Sequence, residues 1–306
     1  MSTSQTIFSL GISLMVPMLF AALGELIIEQ AGVLNVGIEG VLLIGAFGTA
    51  VGVNYGGSSI WVGLLVAAGA GMACGIVLSL LYVRLGTDQI ITGILFNIFA
   101  FGLTTTLAVK YVQASPSASF PDWHVPVLDK IPWLGPVLFH QDVMVYVALL
   151  AAPLVYYLMR YTWFGFYARS AAEFPRAAES AGLNVHRLRY VAVILGCTIT
   201  AIGGAELFAN SGGFVSGYTN GRGFIALGIV VLARWNPLAT VGAALLFGVA
   251  QALQFQSQKL GFVSHIPSHV LVALPYVVTI AAVVLARGSR YPAAVGVPFR
   301  PSGSAA

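Results

Sequence analysis

The segment GELIIEQAGVLNVGIEG, residues 24–40, decides how the chain is interpreted, and the apolar run Val41–Val53 follows it at once. It places three glutamates and Asn35 beside or inside sequence apolar enough for a membrane, where an unpaired charge costs several kcal/mol. Glycines recur through the same segment. This combination predicts a broken or closely packed helix beside a polar cavity.

The composition of the whole chain is that of a polytopic membrane protein. Of 306 residues, 58% are hydrophobic and only 8% are charged, and the mean hydropathy is +0.90, whereas soluble domains carry about 25% charged residues. No basic stripe with interleaved aromatic residues points to nucleic acid. Cys74 and Cys197 lie inside apolar runs and are expected to be small core residues, and the five histidines do not have metal-ligand spacing.

Apolar runs of about 20 residues can cross a ~30 Å hydrocarbon core, and they predict an all-α helical bundle of about nine (8–10) transmembrane helices. We treat residues 1–306 as a single transmembrane domain. The first run lacks the basic flank of a signal peptide, so it is expected to stay as a helix. The seventh is short and follows a glycine-rich lead. The nine runs are 7–27, 36–54, 60–84, 89–111, 142–160, 189–209, 222–234, 237–256 and 268–287.

The distribution of Lys and Arg predicts the orientation. With the Arg-rich segment 161–189 in the cytoplasm, most of the basic residues fall on that side, as the positive-inside rule requires. The N-terminus is then outside, and the C-terminal tail, about 288–306, is cytoplasmic. The longest external loop, about 112–141, is rich in proline, which excludes a long regular helix.

The loop 161–189 contains a second informative segment. Pro175 suits the first turn of a helix, an Ala-rich stretch follows, and Gly182 is placed to end the helix after about two turns. Phe174, which precedes Pro175, is a poor N-cap. The helix start is therefore expected to be shifted, or capped instead by Ser170.

Three blocks of this sequence carry a family resemblance: GELIIEQAGVLNVGIEGVLLIGAF at 24–47, EFPRAAESAG at 173–182, and GFIAL at 223–227 followed by RWNP at 234–237. Together they resemble ABC importer permeases of the ribose, nucleoside and branched-chain amino acid group. The likeness is greatest to the permeases for nucleosides and simple sugars. The three blocks span most of the chain in the family's order.

The resemblance implies a permease that forms an alternating-access pathway in the bacterial inner membrane. It implies a cytoplasmic ATPase subunit, an extracytoplasmic solute-binding protein and a second permease, with a heterodimer favoured because this chain is short. The sequence has no P-loop motif. No cofactor is therefore expected in this chain, which is not expected to be an enzyme; ATP and Mg²⁺ would be used by the partner ATPase. The helix in the loop 161–189 would couple to that ATPase through Glu173, Pro175, Arg176, Ala178, Glu179 and Gly182.

Polar and aromatic residues within the spans are the candidates for the solute pathway. They are Asn35, Glu39, Phe47, Thr92, Phe96, Asn97 and Phe224. Asn35 and Glu39 are four residues apart and are expected to share one helix face. Glu39 could contact the solute or pair structurally with another span, and Asn97 could bind the solute or form an interhelical hydrogen bond.

Four other charged residues have structural interpretations. Glu25 and Glu29 are expected to face the interface or the arginines of the next loop. Glu206 and Arg222 flank the external segment after the sixth span and are expected to pair with each other, or else to meet a binding protein.

The main alternative function is an ion-coupled secondary transporter that uses membrane carboxylates such as Glu39. Within the family, import of a ribose-type sugar or a branched-chain amino acid is a further alternative. An intramembrane enzyme is disfavoured because no catalytic motif occurs in a span.

Overall fold

The computed structural model describes residues 3–112, 117–124, 134–256 and 291–299, with a few single positions between 273 and 284. These residues form eleven α-helices and one two-stranded ribbon. In chain order the elements are α1 Thr3–Glu29, α2 Ile38–Tyr55, α3 Ile60–Ser79 with a π-helical turn Leu80–Arg84, α4 Gln89–Tyr111, β1 Asp122–His124, α5 Leu134–Leu138, β2 His140–Asp142, α6 Val143–Tyr161, α7 Trp163–Glu173, α8 Pro175–Ser180, α9 Val185–Ser211, α10 Arg222–Leu232 and α11 Pro237–Gln256.

The expected all-α polytopic bundle is confirmed. Seven helices in the described part are long and apolar enough to cross a membrane: α1, α2, α3 with its π-helical turn, α4, α6, α9 and α11. The seventh predicted span is the short helix α10, as its glycine-rich lead suggested. The ninth, 268–287, falls almost entirely outside the described residues, so the count of nine stays a prediction.

Helix α1 lies at the centre of the bundle. Every residue from Leu14 to Glu29 is buried, and the helix packs mainly against α9 and α11. The closest approach to α9 is at Gly24 and Gly196, where a Cβ on either residue would collide with the backbone of the other helix. Small residues at such crossings let membrane helices pack closely without a hydrophobic driving force. Cys74 and Cys197 are buried free thiols, as expected.

One end of the bundle carries the ribbon, in which β1 pairs antiparallel with β2. Gln141 of β2 attaches this ribbon to the bundle, because its Nε2 donates to the Oγ of Ser9, 3.0 Å away, and to the carbonyl of Val137, 2.7 Å away. In the described part of the proline-rich loop 112–141 the one helix is the five-residue α5.

The opposite end is closed by the last described segment, 291–299. The backbone N–H of Ala294 donates to the carbonyl of Ala172 at 2.8 Å. Arg189, which is 1% exposed, donates from Nη1 to the carbonyl of Val297 at 3.1 Å. This segment therefore packs beneath the ends of α7 and α9.

Candidate functional site

The chain between α1 and α2 is not helical, although it lies inside the bundle. Helix α1 ends at Glu29, Gly32 has a positive φ of 84°, and α2 begins at Ile38. Backbone groups at such a break have no water to bind and need partners from the protein. The helical structure is therefore interrupted between α1 and α2, which agrees with one of the two arrangements predicted for this segment, and protein groups must satisfy the interrupted backbone.

Three side chains from two helices, α1 and α4, satisfy the break. The N–H of Leu34 donates to Gln89 Oε1 at 2.7 Å, and the N–H of Asn35 donates to Glu25 Oε1 at 2.8 Å. Asn97 of α4 bonds on both sides of the α2 start: its Oδ1 accepts from the N–H of Gly40 at 2.8 Å and its Nδ2 donates to the carbonyl of Val36 at 2.9 Å. These polar groups fix the position at which α2 begins.

A second interrupted helix meets the first. Helix α10 has 11 residues and is about 16 Å long, which is roughly half of the ~30 Å needed to cross the hydrocarbon core. Its N-terminus lies against the first turn of α2. There the carboxylate of Glu39 accepts from the N–H of Gly221 at 2.9 Å and from the N–H of Gly223 at 2.6 Å.

The contact of Glu39 with α10 has a clear physical basis. The N–H groups of a first helical turn lack partners within the helix, and the helix dipole favours a negative charge there. Gly221 has a φ of 77°, a conformation that glycine adopts without strain. A Cβ on Gly223 would lie 2.6 Å from Cα of Glu39, so the close approach requires glycine there too. Glu39 thus joins the two broken helices into one unit, the α2–α10 junction.

A row of aromatic rings extends from this junction along α2. Phe47 lies two turns beyond Glu39, about 12 Å along the helix. Its ring packs edge to face on Phe214, with centroids 5.6 Å apart, and Phe214 packs in the same way on Tyr218, also at 5.6 Å. The hydroxyl of Tyr218 is buried and has no hydrogen-bond partner among the described residues.

The segment predicted to couple to an ATPase forms a short helix, as expected. Pro175 opens α8, and the helix ends near Gly182, whose φ is 85°. The N–H of Leu183 returns to the carbonyl of Ala178 at 3.0 Å, which closes the end of the helix. Ala178 is buried against the body of the protein, whereas Arg176 is exposed.

Helices α7 and α8 border an open groove of about 750 Å³. Phe166 and Phe174 both line it, and these side chains are 57% and 71% exposed. Large exposed apolar side chains beside a polar surface are typical of a protein–protein contact. The groove and α8 together form one surface; we call it the coupling surface, after the role proposed for it below.

Comparison with known proteins decides the family. A family model described as "Branched-chain amino acid transport system / permease component" matches residues 7–295. The chain belongs to this permease family. It is the permease subunit of an ABC transporter and thus a transport component, as the three sequence blocks indicated.

Three relatives illustrate the range of this permease family. The putative glucose ABC transporter permease protein TsgC13 of Haloferax volcanii is 38% identical over 79% of this chain and 75% of its own length. The guanosine ABC transporter permease protein NupQ of Bacillus subtilis is 32% identical over 92% of both chains. The glucose ABC transporter permease protein TsgB13 of Haloferax volcanii is 30% identical over 76% of this chain and 65% of its own length.

The structure separates the seven predicted pathway residues of the permease into groups. Glu39 and Asn97 lie at the α2–α10 junction, with Asn35 and Phe96 buried beside it. Phe47 is half-buried in the aromatic row. Thr92 lies near the start of α4, where its hydroxyl donates to Thr87 Oγ1 at 2.9 Å. Phe224 is 46% exposed and follows Gly223 directly.

Two structural expectations about the opening segment were wrong. Asn35 and Glu39 do not share a helix face, because α2 begins only at Ile38. Glu25 and Glu29 face neither the interface nor loop arginines, since both are buried in the bundle. Glu25 accepts from the backbone of Asn35, and Glu29 accepts from the indole Nε1 of Trp235.

Two further expectations, the pairing of Glu206 with Arg222 and the capping of α8 by Ser170, were wrong because these residues have other hydrogen-bond partners or surroundings. Glu206 does not pair with Arg222. Arg222 donates instead to Gln251 Oε1 at 3.3 Å and to the carbonyl of Tyr218 at 3.1 Å, whereas Glu206 lines a cavity with Asp142 near the ribbon. Ser170 does not cap α8, because it belongs to α7 and donates to the carbonyl of Phe166. The residue before Pro175 makes no side-chain cap at all.

The strained turn between α10 and α11 was not predicted from the sequence. Arg234 and Trp235, between α10 and α11, both have positive φ, 52° and 56°, which costs a non-glycine residue about 1–2 kcal/mol. The turn is held by Glu29, which accepts from the indole of Trp235, and by Gln30, whose Nε2 donates to the carbonyl of Trp235 at 2.7 Å. The motif RWNP was recognised as a family block, but its strain left no separate signal in the sequence.

Proposed function

We propose that this chain is the permease of an ATP-driven importer for nucleosides or a related sugar-containing solute. The observation that carries the proposal is the α2–α10 junction, where two helix breaks meet inside the bundle of an ABC permease. Discontinuous helices of this kind place backbone groups at the middle of a membrane pathway. NupQ is named as a guanosine transporter permease, which supports a nucleoside as the solute. The other two relatives are named as glucose transporter permeases, so a hexose is the second candidate.

The solute is proposed to contact the region around the junction and the aromatic row. Phe224 is partly exposed there, and the hydroxyl of Tyr218 lacks a partner among the described residues. An aromatic ring can stack on a base or on the apolar face of a sugar, and a phenol can bond a ribose hydroxyl. Asn35, Glu39 and Asn97 would then shape the pathway mainly by fixing the broken helices.

The partners and orientation follow from the family and from the charges. We propose that α8 and the coupling surface receive a cytoplasmic ATPase, which binds ATP and Mg²⁺, while this chain holds no cofactor. A solute-binding protein would deliver the solute on the external side. The N-terminus is then outside and the C-terminal tail is in the cytoplasm of a bacterium, with the chain in its inner membrane. The arginines between the end of α6 and the start of α9 support that orientation; they are Arg160, Arg169, Arg176, Arg187 and Arg189.

We further propose a heterodimeric pathway. The two Haloferax volcanii relatives carry names for a glucose transporter, and this chain covers 75% of one but only 65% of the other. This is the pattern expected when a shorter and a longer permease work together. The present chain would be the shorter partner.

The decisive test is reconstitution. The chain would be co-purified with its ATPase and second permease, placed in liposomes with the binding protein, and assayed for uptake of radiolabelled guanosine and glucose. We expect uptake of guanosine that requires ATP. Uptake of glucose but not of guanosine would make glucose the solute instead. Uptake by this chain alone, driven by an ion gradient, would overturn the ATP-driven mechanism.

A second test addresses the coupling surface. Glu173→Ala and Arg176→Ala are expected to leave ATP hydrolysis running while uptake falls at least tenfold, because the ATPase would no longer move α8. Arg187→Ala removes a charge from the same side of the protein, outside α8, and serves as the control. Normal uptake by both coupling variants would show that α8 is not the coupling helix.

A further inference from the structure

A basic pocket lies at the end of the bundle that carries the coupling surface. It has a volume of about 240 Å³ and is formed by the end of α1, the last turns of α6, α7 and the turn between α10 and α11. Gln30, Tyr156, Arg160, Arg169, Trp235 and Asn236 contribute to its lining. Arg169 borders the groove beside α8 as well, but the rest of the pocket faces the helix ends rather than α8.

The charges of this pocket are all of one sign. Arg160 and Arg169 line it, and none of its lining residues is acidic. Arg160 is exposed and forms no ion pair or hydrogen bond within the described part of the chain. Arg169 donates from Nε to the carbonyl of Gly165 at 3.2 Å, which leaves its other nitrogens available. Guanidinium groups that line one pocket can donate to the oxygens of a phosphate group.

The backbone adds to the positive potential. The N-terminus of the 20-residue helix α11 borders the pocket at Asn236 and Pro237, and the helix dipole favours negative charge at that end, although Asn236 Oδ1 already accepts from the N–H of Leu238. Gln30 supplies the opposite kind of group, since its Oε1 is buried and has no hydrogen-bond partner among the described residues. The pocket therefore offers donors for an anion and one acceptor for a hydroxyl.

The surroundings place this pocket at a membrane surface. Tyr157 and Tyr161 at the end of α6, and Trp163 at the start of α7, are 59%, 67% and 75% exposed. Tyr and Trp side chains concentrate at the level of lipid headgroups, where the ring is in apolar contact and the polar atom is in water. Basic pockets between helix ends at this level bind anionic headgroups.

We propose that this pocket binds the phosphate group of an anionic phospholipid from the adjoining leaflet, with Arg160 and Arg169 holding the phosphate and Gln30 accepting from a headgroup hydroxyl. The lipid would bridge α6 and α7 to the turn between α10 and α11. That turn contains Arg234 and Trp235 in left-handed conformations, so the headgroup would support a strained connection. This inference goes beyond solute transport and does not depend on which solute is carried.

The test uses the full chain, purified in neutral detergent with its partner permease where the two co-purify. Phosphatidylglycerol and phosphatidylcholine would be added, and bound lipid counted by native mass spectrometry. We expect phosphatidylglycerol to be retained in preference to phosphatidylcholine. The double variant Arg160→Gln/Arg169→Gln should weaken retention about 30-fold, from the loss of two basic groups at the surface.

Matched controls separate this site from general attraction. Arg187→Gln removes an exposed arginine of α9 that does not line the pocket, and it should bind phosphatidylglycerol like the unmodified protein. Equal loss in this variant would overturn the proposal, as would full retention in the double variant. Inorganic phosphate at 10 mM, on the order of a hundred times the lipid concentration, should displace little lipid. Complete displacement would assign the pocket to a soluble anion.

A measurement on the unmodified protein tests the proposal even if the double variant misfolds. Phosphatidylglycerol with a photoreactive headgroup should cross-link to peptides covering residues 156–169 or 234–237. Cross-links confined to other segments would contradict the proposal. Loss of the cross-link when the ATPase is bound, with no lipid retained, would show that the ATPase rather than a lipid occupies the pocket.

Discussion

The coupling surface and the α2–α10 junction are built in opposite ways. Helix α8 is defined by residues within one short segment, from Pro175 at its start to Gly182 at its end. The α2–α10 junction is half-buried and joins Glu39 to Gly221 and Gly223, which are 182 and 184 residues away in sequence. One region therefore depends on local chain geometry and the other on the assembled bundle.

This difference suggests a division of roles. A local helix on the surface can be displaced by a partner as a unit, with little effect on the stability of the rest. A junction of charge-assisted hydrogen bonds between distant helices holds the bundle in one arrangement, and releasing it would require a change in the whole. Substitutions in the junction should therefore reduce stability, whereas substitutions in α8 should affect coupling.

Glu39→Ala is the strongest test of this contrast. It removes both hydrogen bonds to the start of α10, and each bond to a charged acceptor contributes about 1.5–3 kcal/mol. We expect the free energy of unfolding to fall by about 3 kcal/mol or more and uptake to be lost. Unfolding in mixed micelles would measure the first effect. Glu39→Gln, which keeps one acceptor oxygen, should be intermediate, and stability equal to the unmodified protein would refute the role assigned to the junction.

Two glycines offer a matched comparison. Gly223→Ala places a Cβ against the backbone of Glu39 and should destabilise by about 2–3 kcal/mol, since overpacking has that cost. Gly182→Ala meets no neighbouring atoms within 4 Å, but it forces alanine to a φ of 85°, at about 1 kcal/mol. Thermal unfolding in detergent would rank them. A larger effect for Gly182→Ala would reverse the contrast.

Asn97→Ala tests the other side of the junction. The variant loses the bonds to Gly40 and Val36 and should cost about 2 kcal/mol. Asn54→Ala is the control, because the Asn54 side chain makes one described bond, from Nδ2 to the carbonyl of Tyr111, far from the junction. If both asparagine variants unfold at the same temperature, the two hydrogen bonds of Asn97 contribute no more to stability than the one bond of Asn54.

Arg176→Ala should have the smallest effect on stability. Its side chain is exposed on α8, and surface substitutions usually change stability by less than about 0.5 kcal/mol. Thermal unfolding should therefore match that of the unmodified protein even though uptake is reduced. A large loss of stability would mean that α8 is part of the structural framework, and its contrast with the junction would disappear.

The sequence was sufficient to predict those elements that local patterns determine. Helices α4 and α11 have the bounds predicted from hydropathy, and the short helix α8 follows from the placement of proline and glycine. The permease family was also predictable, because the blocks at 24–47 and 173–182, and the two short pieces at 223–227 and 234–237, are each local in the sequence.

Partner choice across the bundle was not predictable in the same way. The chain alone shows that Glu25, Glu29 and Glu206 need partners, but several groups are equally suitable until the helices are packed. Nothing local indicates that Trp235, rather than a loop arginine, binds Glu29, or that Gln251 displaces Glu206 as the partner of Arg222. Asn35 was misplaced for a related reason, because the tertiary contacts that end α1 delay the start of α2.

The burial of α1 has a consequence for how the protein is made. This helix is synthesised well before the groups that bind its end, since the indole that donates to Glu29 follows 206 positions later. Until α9, α10 and α11 are inserted, α1 lies in the insertion machinery or in lipid, and its carboxylates lack their final partners. Biogenesis is therefore expected to finish only with these later helices, and nascent chains truncated before α9 should be rapidly degraded in the cell.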